Sequence, residues 1–128
     1  MEKGFHKFSQ MAQNVYNILS DAIKLREDLK IFIMMHIENE GDAINPKWKL
    51  KTTGKLIDKA VGLDGLFTIL LYAEVLPGEE AGKPRYVFRT NTIDGTDTCK
   101  SPYGMFNDLY VDNNLLNVIE KIDEYNEG

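Results

Sequence analysis

Residues 51–60, KTTGKLIDKA, hold a Thr-Gly-Lys of the kind that closes a phosphate-binding loop. Such a loop needs a glycine five residues before its Gly-Lys pair and a Ser or Thr directly after it, so that backbone amides cradle phosphates and the hydroxyl holds magnesium. Lys49 stands where the first glycine belongs, and Leu56 where the hydroxyl belongs. The stretch also follows lysine-rich residues, whereas a phosphate loop normally follows a buried strand. It therefore reads as a helix start, with Thr52 or Thr53 as N-cap, and autonomous nucleotide hydrolysis is not expected.

The same region offers a different chemistry. PKWKLKTTGKLIDK carries Lys47, Lys49, Lys51, Lys55 and Lys59, five of the 15 basic residues, around the only tryptophan, Trp48. Lysines neutralise phosphates and an aromatic face stacks on an unpaired base, the combination used by sequence-tolerant single-strand binders. A solvated loop and helix face, with Trp48 plugging the core, accounts for the same residues.

The remaining constellations are weaker. His36 and Glu38 share a strand face, being two residues apart. Zinc deaminases pair such a His-x-Glu with a Pro-Cys-x-x-Cys, and this chain has one cysteine. A metal would need further ligands from Glu40, Asp42 or His6 at loose spacing, so a histidine satisfied at a strand end is the reading adopted. Cys99 lies beside Lys100, and a neighbouring cation favours the thiolate, yet no sequence-local base accompanies it; an inert thiol is expected. Asp94, Asp97 and Asp112 could pair as carboxylates, but Asp-Gly-Thr-Asp is what a tight turn uses to bond its own backbone.

The elements that must position these residues follow from hydrophobic period. Phe8, Met11, Val15, Ile18, Leu19, Ala22 and Leu25 recur at helical spacing and predict a core-facing helix over 8–25. LKIFIMMHIE, 29–38, is apolar on both faces and predicts a central strand covered on both sides, with His36 near its C-terminal end. A loop over Glu38–Pro46 leads into PKWKLK and a short helix to about Ala60. LFTILLYAEVL, 66–76, predicts a second buried strand, so strand, helix and strand imply a right-handed parallel crossover. PGEEAGKP, 77–84, is dense in turn residues and predicts a hairpin with RYVFRTNT. After the polar loop IDGTDTCKSPYGM, the residues Leu115, Leu116, Val118, Ile119 and Ile122 predict a final amphipathic helix capped by Asp112 or Asn113.

Composition bounds the rest. A chain of 128 residues is one domain's worth and buries roughly two-thirds of its unfolded surface, so a single core over 1–128 is expected. A net charge of -5 disfavours nucleic-acid binding by the whole surface without excluding a local basic patch. The N-terminal MEKGFHKFSQ has no apolar stretch suited to a signal peptide, and the apolar runs are shorter than the ~20 residues of a membrane helix. A cytoplasmic protein that does not enter the membrane is expected.

Three ordered segments carry a resemblance. DLKIFIMMHIEN, then TTGKLIDKAVGLDGLFTILLYAEV, then YVFRTNTIDGTDTCKSPYGMF, spanning nearly the whole chain, resemble the C-terminal half of phage-encoded RecA-like ATPases of the single-strand DNA recombination group. The resemblance implies an α/β fold: a partial RecA-like three-layer sandwich, with a small mixed sheet of about three strands, flanking helices and a C-terminal hairpin plus helix. In such proteins the Walker A loop and Walker B aspartate lie in the first half, which has no counterpart here. No cofactor is implied, and ATP with magnesium enters only if a separate half supplies the missing motifs. By the same resemblance His36 matches a residue that senses the γ-phosphate. Residues 38–51 match a loop that contacts single-stranded DNA, and Lys100 approaches a neighbouring subunit's phosphates.

A physical consequence follows independently of any family. Strands apolar on both faces belong inside a sheet, yet with about three strands at least one must form an edge, and exposed edges recruit partners. Self-association or a protein partner is expected. With this edge, the resemblance implies a non-catalytic phage protein, derived from a RecA-like recombination ATPase, that binds single-stranded DNA through Lys47, Trp48, Lys49, Lys51 and Lys55, assembles with a partner subunit, or both. The alternative is a small acidic phage inhibitor of a host nuclease defence, of the anti-CRISPR type, acting by protein-protein binding.

Overall fold

The computed structural model describes residues 2–51 and 63–128. Where length predicts one core, the chain divides into two compact units, 1–67 and 68–128. The described architecture is α/β, with two helices and two small antiparallel sheets.

In the first unit, α1 runs Glu2–Ile23. Leu19 is buried and Met11, Val15 and Ala22 are half-buried, a stripe at helical spacing, while Ile18, expected on it, points outward and is exposed. The helix stops two residues before the expected Leu25. Its last turn tightens, because Lys24 and Leu25 donate their amides three residues back, to Asp21 and Ala22.

The largest correction concerns 29–38. The central strand expected there is reduced to β1, Ile37–Asn39, and residues 30–36 lie outside any helix or strand. β1 pairs antiparallel with β2, Trp48–Leu50, in the register Ile37 with Leu50, Glu38 with Lys49, and Asn39 with Trp48. The ladder extends one residue each way, through Lys51 N–H to the His36 carbonyl (2.7 Å) and Glu40 N–H to the Lys47 carbonyl (2.8 Å). The connecting loop explains the local pairing. Asn39 Oδ1 accepts from the amides of Gly41 and Lys47, and Asp42 Oδ1 from those of Ile44 and Asn45, so two side chains tie the loop into a hairpin. A 3-10 turn at Leu63–Leu66 approaches α1 and β2. The helix expected from Thr52 or Thr53 to Ala60 lies outside the described residues.

In the second unit, β3 (Tyr72–Leu76), β4 (Arg85–Arg89) and β5 (Tyr110–Asp112) form one antiparallel sheet in that order. The predicted 77–84 turn does join a hairpin, with Tyr72 opposite Arg89 and Leu76 opposite Arg85. The apolar run 66–76 supplies only its second half as strand; Leu70 instead exchanges backbone bonds with Lys100. The mixed sheet with a parallel crossover is therefore corrected: both sheets among the described residues are antiparallel and pair neighbours in sequence. The β1–β2 and β3–β4 hairpins close through the short loops 40–47 and 77–84, at a lower entropy cost than the long connection a parallel pair needs, while β5 returns to β4 after residues 90–109. The core of this unit contains Val87, Cys99, Met105 and Val118, with Val87 fully buried. The final helix, α2, runs Leu115–Glu127, and its cap is Asn114 rather than Asp112 or Asn113: Asn114 Oδ1 accepts from Leu116 N–H at 2.9 Å.

Candidate functional site

The β1–β2 hairpin gathers most of the residues singled out from the sequence. Side chains alternate across a strand, and the register puts three facing pairs on one side: His36 with Lys51, Glu38 with Lys49, and Glu40 with Lys47. Lys47, Lys49 and Lys51 thus form one exposed basic row. The facing strand, however, sets two carboxylates against it, and Lys49 Nζ lies 3.4 Å from Glu40 Oε2. One of the three lysines is thereby paired, and two carboxylates share the face of the row. Trp48 and Leu50 point to the opposite side with Ile37 and Asn39. Trp48 is 39% exposed, so it neither plugs the core nor shares a face with the lysines. A single-strand platform places bases on aromatic rings beside the cations that hold the phosphates; here the two lie on opposite faces. Lys55 lies outside the described residues.

His36 and Glu38 do share a face, yet no group of three or more His, Cys, Asp or Glu suited to a metal ion occurs among the described residues. His36 is exposed, its carbonyl engaged by Lys51. Lys100, the other candidate phosphate sensor, belongs to the second unit, where its backbone bridges Leu70.

The chain leading into the hairpin is unusual in its exposure. Ile31, Phe32 and Ile33 are each more than 40% exposed and Met34 is 96% exposed. Residues 31–35 make no backbone hydrogen bond among the described residues. Consecutive apolar side chains are thus exposed on both sides of a segment that enters a strand.

The second unit holds a cluster that the sequence reading did not single out. Arg89, on β4, turns its guanidinium into the fold. Its Nε donates to Glu74 on β3 (2.5 Å), one terminal nitrogen to the Asn91 carbonyl (2.9 Å) and the other to Asp97 (2.7 Å). The cation also lies over the Tyr72 ring, 5.1 Å from its centre. Tyr72 and Thr98 share a hydroxyl hydrogen bond of 2.8 Å. Burial alone lowers the pKa of the guanidinium, but the bonds to Asp97 and Glu74 outweigh it and raise the pKa. With its donors aimed at protein acceptors, the cation acts as a clamp between β3, β4 and the 91–98 loop, not as an anion receptor. One sequence signal pointed to it: in RYVFR, alternation puts Arg85, Val87 and Arg89 on one face, and a basic residue on the face of a buried valine demands acidic partners.

Cys99 sits against this cluster, buried, and its thiol donates to the Arg89 carbonyl at 3.1 Å. Burial pushes the thiol pKa up to about 11, although Arg89 pulls the other way, so the thiol is protonated and unreactive near neutrality. Asp94 behaves as a turn residue: its Oδ1 accepts from the Thr96 hydroxyl and amide, which hold the carboxyl below the usual range. Asp97 does double duty, accepting from Cys99 N–H with one oxygen and Arg89 with the other. Asp112 stands elsewhere, facing Arg85 at 3.8 Å.

Charge is divided unevenly. Residues 68–128 hold eleven of the 20 acidic residues but five of the 15 basic ones, so the net negative charge resides entirely in the second unit. No helix among the described residues is long and apolar enough to cross a membrane. No protein-family model, curated protein or solved structure matches the chain.

Proposed function

We propose that this chain is a non-catalytic assembly module, derived from a RecA-like recombination ATPase, that joins a protein partner through the apolar segment 31–37 and the open edge of β1. The observation that carries this reading is the exposure of Ile31, Phe32, Ile33 and Met34, without backbone bonds among the described residues, directly before a paired strand. A strand added at such an edge gains main-chain hydrogen bonds, while its side chains cover apolar surface on both faces. The RecA-like derivation rests on the three ordered sequence segments, and the absence of a phosphate loop in KTTGKL supports a non-catalytic role.

Single-stranded DNA binding is the second reading, favoured by the exposed row of Lys47, Lys49 and Lys51. Glu38 and Glu40 on the same face, and Trp48 on the other, favour assembly over it.

Affinity capture and sedimentation of the full chain, compared with an Ile31→Lys/Ile33→Lys variant, test the assembly reading. The wild type is expected in a complex, with itself or with a captured protein, and the variant is expected to lose that complex. A wild type that sediments alone and captures nothing, or a variant that keeps its complex, refutes the reading.

A further inference from the structure

The segment that enters β1 places its two charges symmetrically about Met34. Lys30 and Glu38 lie four residues to either side, and between them every residue except His36 is apolar. An antiparallel pairing of two copies centred on Met34 sets Lys30 opposite Glu38 of the other copy, and does so twice. It also sets Ile31 opposite Ile37, Phe32 opposite His36, Ile33 opposite Met35, and Met34 opposite itself. Cross-strand pairs of opposite charge and of apolar residues both stabilise a sheet.

Competing registers fail this test. Moving the centre by two residues, to Phe32 or His36, puts Lys30 or Glu38 opposite Met34. A parallel in-register pair sets Lys30 against Lys30 and Glu38 against Glu38, and like charges directly opposite are destabilising. Within residues 30–38 the register centred on Met34 sets both charges opposite their counterions and leaves only Phe32 opposite His36 outside the apolar and ionic pairs, and it is the isologous two-fold arrangement most common among homo-oligomers.

Position in the hairpin agrees. β1 is bonded to β2 along one edge and to nothing along the other among the described residues. Pairing through the outer edge joins the two hairpins in one antiparallel sheet, in which β1 of each copy lies beside Lys30 and Ile31 of the other. Alternation then places His36, Glu38 and the lysine row on one face. Ile31, Ile33, Met35 and Ile37 fall on the other, beside Leu50 and Trp48.

We infer that the partner of this segment is a second copy of the chain, paired antiparallel through residues 30–38 about Met34. This inference rests on the assembly reading above and is narrower than it. The pairing is short compared with a standard protein interface, so a dimer that dissociates on dilution is expected.

The test uses the isolated full chain. Met34→Cys is expected to form an interchain disulfide on mild oxidation, because directly opposite residues of an antiparallel pair have Cα atoms about 4.5–5.5 Å apart, within disulfide range. Buried Cys99 does not compete. Met35→Cys faces Ile33 of the other copy rather than itself and is expected to cross-link poorly. In sedimentation equilibrium, Lys30→Glu and Glu38→Lys are each expected to shift the chain to monomer, and the two together to restore the dimer. A wild type that is monomeric throughout the micromolar range, equal cross-linking at Met34→Cys and Met35→Cys, or a double variant that stays monomeric overturns the inference. A monomer that still captures another protein through Ile31 and Ile33 overturns only the self-pairing and leaves the assembly reading intact.

Discussion

Removing Asp97 probes the Arg89 clamp most sharply. The ion pair is sequestered, with side-chain exposures of 7% for Arg89 and 8% for Asp97, so Asp97→Ala leaves a buried guanidinium short of its best partner. Breaking a buried pair in this way costs about 3–5 kcal/mol. Glu74 remains to share the charge, but its side chain is 30% exposed and already bonded to Nε, so it does not replace the lost bond to the terminal nitrogen. Asp97→Ala also strips the acceptor from Cys99 N–H, a loss of about 1 kcal/mol. A destabilisation of roughly 3 kcal/mol in a unit of this size lowers its Tm by more than about 12 °C. Thermal unfolding followed by tyrosine fluorescence reads it, since Tyr72, Tyr86, Tyr103, Tyr110 and Tyr125 belong to 68–128 and Trp48 does not. In a double-mutant cycle with Arg89→Met, the coupling is expected at about 1–3 kcal/mol. The effect should persist in high salt, because buried pairs are weakly screened. A fall of less than about 2 °C, or a coupling near zero, refutes the view that this pair closes the 91–98 loop onto the sheet.

Further outcomes follow from other sites. Because the Cys99 pKa is raised in the folded chain, its contribution is fully present below the unfolded thiol's pKa of about 8.5 and is lost as pH climbs through about 11; wild type should therefore lose roughly 2–3 kcal/mol more than Cys99→Ala across that window in urea unfolding, and parallel curves would contradict it. At neutral pH, alkylation of native Cys99 should be slow and become fast only on unfolding, as judged by mass spectrometry. Asn114→Ala should cost about 1 kcal/mol through loss of the α2 cap, whereas Asn113→Ala, whose structural bond is made by its backbone, should cost little; equal thermal shifts would reject the cap assignment. Titration with single-stranded oligonucleotide at moderate salt should leave Trp48 emission unchanged, and saturable quenching that vanishes with Lys47→Glu and Lys49→Glu would move the assignment to DNA.

Much of the local structure was legible in the sequence. The stripe of α1, the turn-rich 77–84 hairpin and the amphipathic α2 all show in residue order, because helical period and turn chemistry act over a few residues. The lysine row is likewise a matter of alternation along β2. The sequence did not reveal which apolar run finds a cover. Residues 29–38 and 66–76 read alike, yet part of the second becomes a paired strand and most of the first stays exposed, because Asn39 and Asp42 tie the hairpin shut locally and leave 31–35 outside it. Nor did it reveal that Glu38 and Glu40 would face the lysines, that Trp48 would lie behind them, or that Arg89 would turn inward to meet Glu74 and Asp97. Those are consequences of register and of loop closure, in which a carboxylate meets its cation only once neighbouring strands have paired and the 91–98 loop has folded back.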